Sequence, residues 1–179
     1  MKTQIKTSPI HIFWITLIQG LLAGITINAV AGFGEELGWR SFLLKELAYT
    51  GFWKSSIIIG FIWGVWHALL VIQGHTYPQH PIEGLFMMII FCILFSPIFN
   101  YIRLKSKSVI TTVIMHGSLN GTAGLPLLII KGGNDLTVGV TGAAGLITLL
   151  IINFTILVFN NRGIKEELYK LKLRYLKTF

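Results

Sequence analysis

Apolar positions in this chain fall into long unbroken blocks, separated by short polar stretches. Pro9 to Ala31 contains no Lys, Arg, Asp or Glu. At about 1.5 Å per residue, such a block can cross a hydrocarbon core of about 30 Å. Phe52 to Ile72 is a second block, interrupted by Lys54 near its start and His67 late in it. Ile82 to Ile102 is a third, with Pro97 as a candidate kink. Val109 to Ile130 and Leu136 to Phe159 complete a set of five clear spans. Gly34 to Ala48 is different: its mixed polarity reads as a short span or a helix dipping into the bundle. The separators carry turn signals. Two prolines and a glycine mark Gly74 to Pro81, a basic loop holds Arg103, Lys105 and Lys107, and Gly132-Gly133-Asn134 lies between Lys131 and Asp135. The pattern predicts an all-α, polytopic transmembrane helix bundle of about six membrane helices, five clear and one short or dipping, as a single domain over residues 1–179.

Composition agrees with the pattern. Of 179 residues, 53% are apolar and 12% charged. Soluble domains carry about 25% charged residues, and a mean hydropathy of +0.70 places the chain in the bilayer. The net charge of +8 does not mark a nucleic-acid binder, because Lys and Arg gather at the N-terminus, in short loops and in residues 160–179, as topology signals do. Counted as such signals, they put the basic tail and the Arg103–Lys107 loop in the cytoplasm, and the His75–His80 loop and the Lys131–Asp135 turn outside. With six spans Met1 is also inside; with five it is outside. Leu168, Leu171 and Tyr175 follow helical spacing, which allows the tail either a basic amphipathic helix on an anionic leaflet or a plain solvated role. Lys2 and Lys6 followed by Ala29-Val30-Ala31 also fit a cleavable signal, but the apolar stretch exceeds the usual ~7–15 residues. Cys92, the single cysteine, excludes an internal disulfide and a cysteine zinc cluster.

The chemistry concentrates in Gly34-Glu35-Glu36-Leu37-Gly38-Trp39-Arg40. Two of only seven acidic residues stand here side by side. Carboxylates at membrane depth are costly and mark function by default. Glu36 and Arg40 are spaced i, i+4, so they can form a structural ion pair. Glu35 points about 100° away around the helix and is left for a proton or a water. Gly60, Trp63, Gly64 and His67 share one helix face, as do His116 and Asn120. The glycines on these faces and Gly20-x-x-x-Gly24 read as close-packing positions, and Trp63 and Trp66 as packing residues. His11, His75 and His80 read as incidental. Glu35, His67, His116 and Asn120 together have the makeup of a water-activating site. The carboxylate takes a proton, imidazoles bind a metal or orient the water, and an amide donates to an oxyanion.

Glu35-Glu36-x-x-x-Arg40, Trp63-x-x-x-His67 and His116-x-x-x-Asn120 resemble the three motifs EExxxR, FxxxH and Hxxx(N/D) of the CAAX prenyl protease and bacteriocin-processing (CPBP, or Abi) intramembrane proteases. The resemblance covers about Ala31 to Leu125. It departs at Trp63, where the family usually has phenylalanine, and in having one helix before the first motif. It implies that Glu35 activates water with His67 as its partner, that His116 and Asn120 stabilise the oxyanion, and that Glu36 and Arg40 hold the architecture. It also implies two accounts of the chemistry: a zinc ion on Glu35, His67 and His116, or a metal-free glutamate mechanism. The expected protein is an integral membrane peptidase of a bacterial cell membrane. Its partners would be the lipid bilayer and a membrane-associated peptide or protein substrate, such as a leader or bacteriocin-like peptide. Two other classes use the same residues: a non-catalytic immunity or scaffold protein, and a small proton-relay transporter.

Overall fold

The computed structural model describes residues 9–126 and 130–176, with side chains through residue 173. Among these the chain is all-helical. Helix α1 (Pro9–Ile25) breaks at Thr26, whose hydroxyl donates back to the Leu22 carbonyl at 2.6 Å, a competitor for helical backbone bonding. Helix α2 (Ile27–Glu36) leads through a π-helical segment (Leu37–Leu43) into α3 (Leu44–Glu46). Then come a short 3-10 turn, α4 (Phe52–Trp66), α5 (Ala68–Ile72), α6 (Pro81–Ser106), α7 (Val109–Thr122) and α8 (Ala143–Leu176).

The helix ends follow local chemistry. Proline occupies the first turn of α6, where its missing N–H costs nothing. Lys107 closes α6 in the left-handed conformation at φ 58°. One residue later the Ser108 side chain accepts from the Ile110 amide and caps α7. This two-residue link sets α6 and α7 antiparallel. Helix α6 continues through Pro97 without ending.

Glycines set the packing. A Cβ on Gly60 would sit 2.6 Å from the Cys92 carbonyl oxygen and one on Gly64 2.6 Å from the Ile89 Cα, so α4 lies antiparallel against α6. A Cβ on Gly20 or Gly24 would collide with the backbone at Gly121 or Ser118, and Gly117 and Gly121 face α1 in return. Thus α1 runs antiparallel to α7, and the Gly20/Gly24 pair is part of the seam. Helix α8 runs parallel to α6, tied by Asn153 to the Leu94 carbonyl and Tyr101 to Asn160. Trp63, Phe99, Ile59, Leu44 and Val71 fill the core between these helices.

Among the described residues two helices are long and apolar enough to cross a membrane, α6 and the Ala143–Leu173 part of α8. A third span results if Ile10–Ile25 and Ile27–Glu46, bent by 47°, count as one. The helix expected at Gly34–Ala48 falls largely within the second limb of this bent pair, Ile27–Glu46. Three other boundaries differ. Helix α7 ends at Thr122, and part of the expected span up to Ile130 lies outside the described residues. Leu136–Gly142 is irregular, because Gly133 and Gly139 adopt φ near +82° and +87°, which favours turns. The tail continues α8 without a break. Ile164 and Leu168 are buried in the core and Leu171 packs against it, so this stripe is spent on the bundle and not on a leaflet; the side chain of Tyr175 lies outside the described set.

Candidate active site

Glu36 sits at the last α-helical turn before the π segment, a local widening that often accompanies functional sites. Its Oε1 accepts from Arg40 Nη1 at 3.3 Å and from His116 Nδ1 at 2.8 Å. All three side chains are buried. Arg40 is held between two aromatic faces, 4.5 Å from the Trp63 ring centroid and 4.3 Å from that of Phe99, a cation–π arrangement strengthened by exclusion of water. Gly32 leaves room for the His116 ring, whose Cγ would lie 3.4 Å from an added Cβ.

Glu35 takes the other direction, as its rotation on the helix requires. Its Oε2 accepts from the Trp63 indole N–H at 3.2 Å, and its Oε1 carries no protein hydrogen bond among the described residues. His67 Nδ1 lies 2.9 Å from the Trp63 carbonyl. A carbonyl only accepts, so Nδ1 carries the proton and Nε2 is left as an acceptor. The same logic applies to His116: an ionised Glu36 fixes the proton on Nδ1 and leaves Nε2 bare.

These residues meet at a cavity of about 540 Å³. Glu35, His67, His116 and Asn120 all line it, with Trp63 between them. Met88, Phe91 and Cys92 from α6 form an apolar wall. The cavity extends to Leu70, His75 and Thr76 after α4, and to Asp135 and Val138–Thr141 before α8. The site residues singled out from sequence are therefore gathered, but their pairing differs in one respect. The carboxylate bonded to His116 is Glu36, and Glu35 is bonded to Trp63 and to no histidine. Glu36 thus orients an imidazole besides pairing with Arg40.

Trp63 was read as packing, yet it touches Glu35, His67, Arg40 and His116. Its N–H holds Glu35, its carbonyl holds His67, its face carries Arg40, and its ring meets His116 edge-on at 5.5 Å. The departure from phenylalanine at this motif position was the available signal. His75 and Asp135 also line the cavity; as loop residues they carry no periodicity that would single them out.

Two loops close one end of the cavity. Tyr77 is buried and donates to the Thr141 carbonyl at 2.8 Å. Burial pushes its phenol up to about 12, so it remains a donor. Asp135 accepts from the Gln79 amide at 2.7 Å and from His80 Nδ1 at 2.6 Å. Burial pushes the Asp135 carboxyl up, but the hydrogen bonds from His80 and Gln79 outweigh it and hold the group below its ordinary 3.8.

A catalytic zinc site uses three protein ligands. Among the described residues no three His, Cys, Asp or Glu side chains are grouped closely enough to hold an ion. As placed, Glu35, His67 and His116 do not form that set.

An apolar helix bundle with a buried carboxylate–histidine centre defines a polytopic integral membrane protein. Comparison with known families makes the class specific. Residues 10–122 match the Type II CAAX prenyl endopeptidase Rce1-like family, more than half of the chain, and the chain belongs to that family. It is also 31% identical over 93 residues to CAAX prenyl protease 2 of Methanococcus maripaludis, covering 48% of this chain and 34% of the relative. The match thus spans about a third of that relative's length. No solved structure matches the chain.

Proposed function

We propose that the protein is an intramembrane endopeptidase that hydrolyses a peptide bond of a membrane-associated peptide or protein. The observation that carries this reading is the convergence of Glu35, His67, His116 and Asn120 on one cavity inside an apolar bundle. Family membership supplies the reaction class.

Glu35 Oε1 accepts a proton from water while the bare Nε2 of His67 accepts the hydrogen bond of the second water hydrogen, which orients the attacking oxygen. That oxygen bonds to the scissile carbonyl carbon. Asn120 Nδ2 donates to the developing oxyanion. His116 donates from Nε2 only when doubly protonated, and Glu36 then balances its charge as a carboxylate does for a catalytic imidazole. The C–N bond breaks and the proton held by Glu35 passes to the leaving amine. The apolar wall of Met88 and Phe91 suits a hydrophobic peptide segment, such as a leader or bacteriocin-like peptide.

Purified protein in lipid, assayed on such a peptide, provides the test. Glu35→Gln is expected to lower kcat by about 10²–10⁴-fold, and Asn120→Ala by about 10²–10³-fold, with insertion unchanged. Full turnover in Glu35→Gln would reject the mechanism. Chelation decides the metal account: loss with a zinc chelator and recovery on adding zinc would mean that the side chains gather around an ion during turnover.

A further inference from the structure

The two ends of the bundle differ sharply in charge. Helices α6 and α8 both start beside the paired loops and run to the opposite end. At that far end Arg103, Lys105 and Lys107 close α6, and Arg162, Lys165, Lys170 and Lys172 follow along α8. Lys45 and Lys54 flank the link into α4 at the same end. Helix α8, of 34 residues, is about 51 Å long at the helical rise. That exceeds a hydrocarbon core of about 30 Å, so its last third carries Lys165, Lys170 and Lys172 clear of the bilayer.

The cavity lies towards the other end. Gly20 of α1 faces Gly121 near the end of α7, so α1 also begins on this side. The lysine described here is Lys131. Among the residues with described side chains, nine Lys and Arg lie at the far end against Lys131 here. Positive residues near membrane-spanning ends are retained in the cytoplasm, so the far end is cytoplasmic and the cavity opens away from it. The loops that cover it are joined through Asp135 and Tyr77. They present His75, Thr76 and Asp135 beside Val138 and Val140, a lining suited to an amphiphilic chain.

We propose that substrate enters the cavity from the non-cytoplasmic face, by parting the 73–80 and 130–142 loops. The substrate is then a peptide segment presented at the outer surface of the membrane, exported or anchored there, and not a chain end in the cytosol. The substrate identity rests on the peptidase reading; the sidedness does not.

Two measurements separate the claims. In a Cys92→Ser background, Gln73→Cys in the first loop and Lys172→Cys in the tail are exposed to a membrane-impermeant maleimide on intact cells. Gln73→Cys is expected to label at once, and Lys172→Cys only after permeabilisation. The reverse pattern overturns the sidedness. The double variant Gln79→Cys with Asp135→Cys, oxidised, ties the loops together. Peptide turnover is expected to fall at least tenfold and to return in the same sample on reduction; turnover unchanged by oxidation overturns entry between the loops. Labelling as expected, with turnover indifferent to Glu35→Gln, would leave the orientation standing and remove the peptidase reading.

Discussion

Trp63 offers Glu35 an N–H that phenylalanine cannot. A hydrogen bond to a charged group contributes about 1.5–3 kcal/mol, and about 1.4 kcal/mol is a factor of ten in rate. Trp63→Phe keeps an aromatic face for Arg40 but releases Glu35. Its kcat is expected to fall about 10–100-fold, beyond the modest drop in melting temperature that the cavity left by the smaller ring causes in the core, as read by parallel kinetics and melting. Arg40→Ala acts on the other carboxylate. It leaves Glu36 buried beside His116 without its cation, and breaking a buried pair costs about 3–5 kcal/mol, so the melting temperature is expected to drop sharply. The Glu36–Arg40 pair was legible in the sequence because i, i+4 spacing fixes which side chains meet. The bond from Glu36 to His116 was not, since it depends on how α2 and α7 are seated, 80 residues apart in the chain.

At the scale of the element, the α1–α7 seam controls that seating. An added methyl on Gly121 would lie 2.1 Å from the Gly20 carbonyl oxygen, and a backbone atom cannot rotate away. Gly121→Ala is expected to lose about 1–3 kcal/mol by overpacking and to reduce turnover by displacing His116. Gly34 has open space at its Cβ position. Gly34→Ala is expected to melt no lower than the parent, since alanine suits a helix interior better by about 0.5–1 kcal/mol. Chemical denaturation of the two variants side by side provides the check. Glycine spacing announced these close approaches along the chain but not their partners. Element limits were less legible. Apolar runs end where composition changes, whereas helices end where backbone geometry does, as at Thr26 and at Gly139.

For the molecule as a whole, the paired loops decide access. Asp135 titrates below its ordinary 3.8 in the folded protein because His80 and Gln79 bond its charged form. Its contribution to loop pairing is therefore complete above that value and is lost as pH falls through the lower folded value. Loop closure is expected to be unchanged between pH 5 and 8 in this respect, and hydrogen exchange at Gln79 is expected to quicken only in stronger acid. Asp135→Asn removes the charge at all pH values and is expected to quicken that exchange at neutral pH. The all-helical membrane class was evident from apolar block length, because the bilayer imposes that length directly. The cover over the cavity was not, since irregular loops obey contacts that no residue period encodes.

The seam between α1 and α7 also constrains how this chain can change over generations. Gly20 and Gly24 carry no chemistry, yet each is matched to a residue on α7 within a backbone's reach. A larger residue on one side can be accepted only if the other helix gives way, which displaces the imidazole on its opposite face. Inheritance at these positions is expected to be joint. Lineages that enlarge one member of a pair would have to re-seat the whole helix, and those that keep the reaction would keep both glycines.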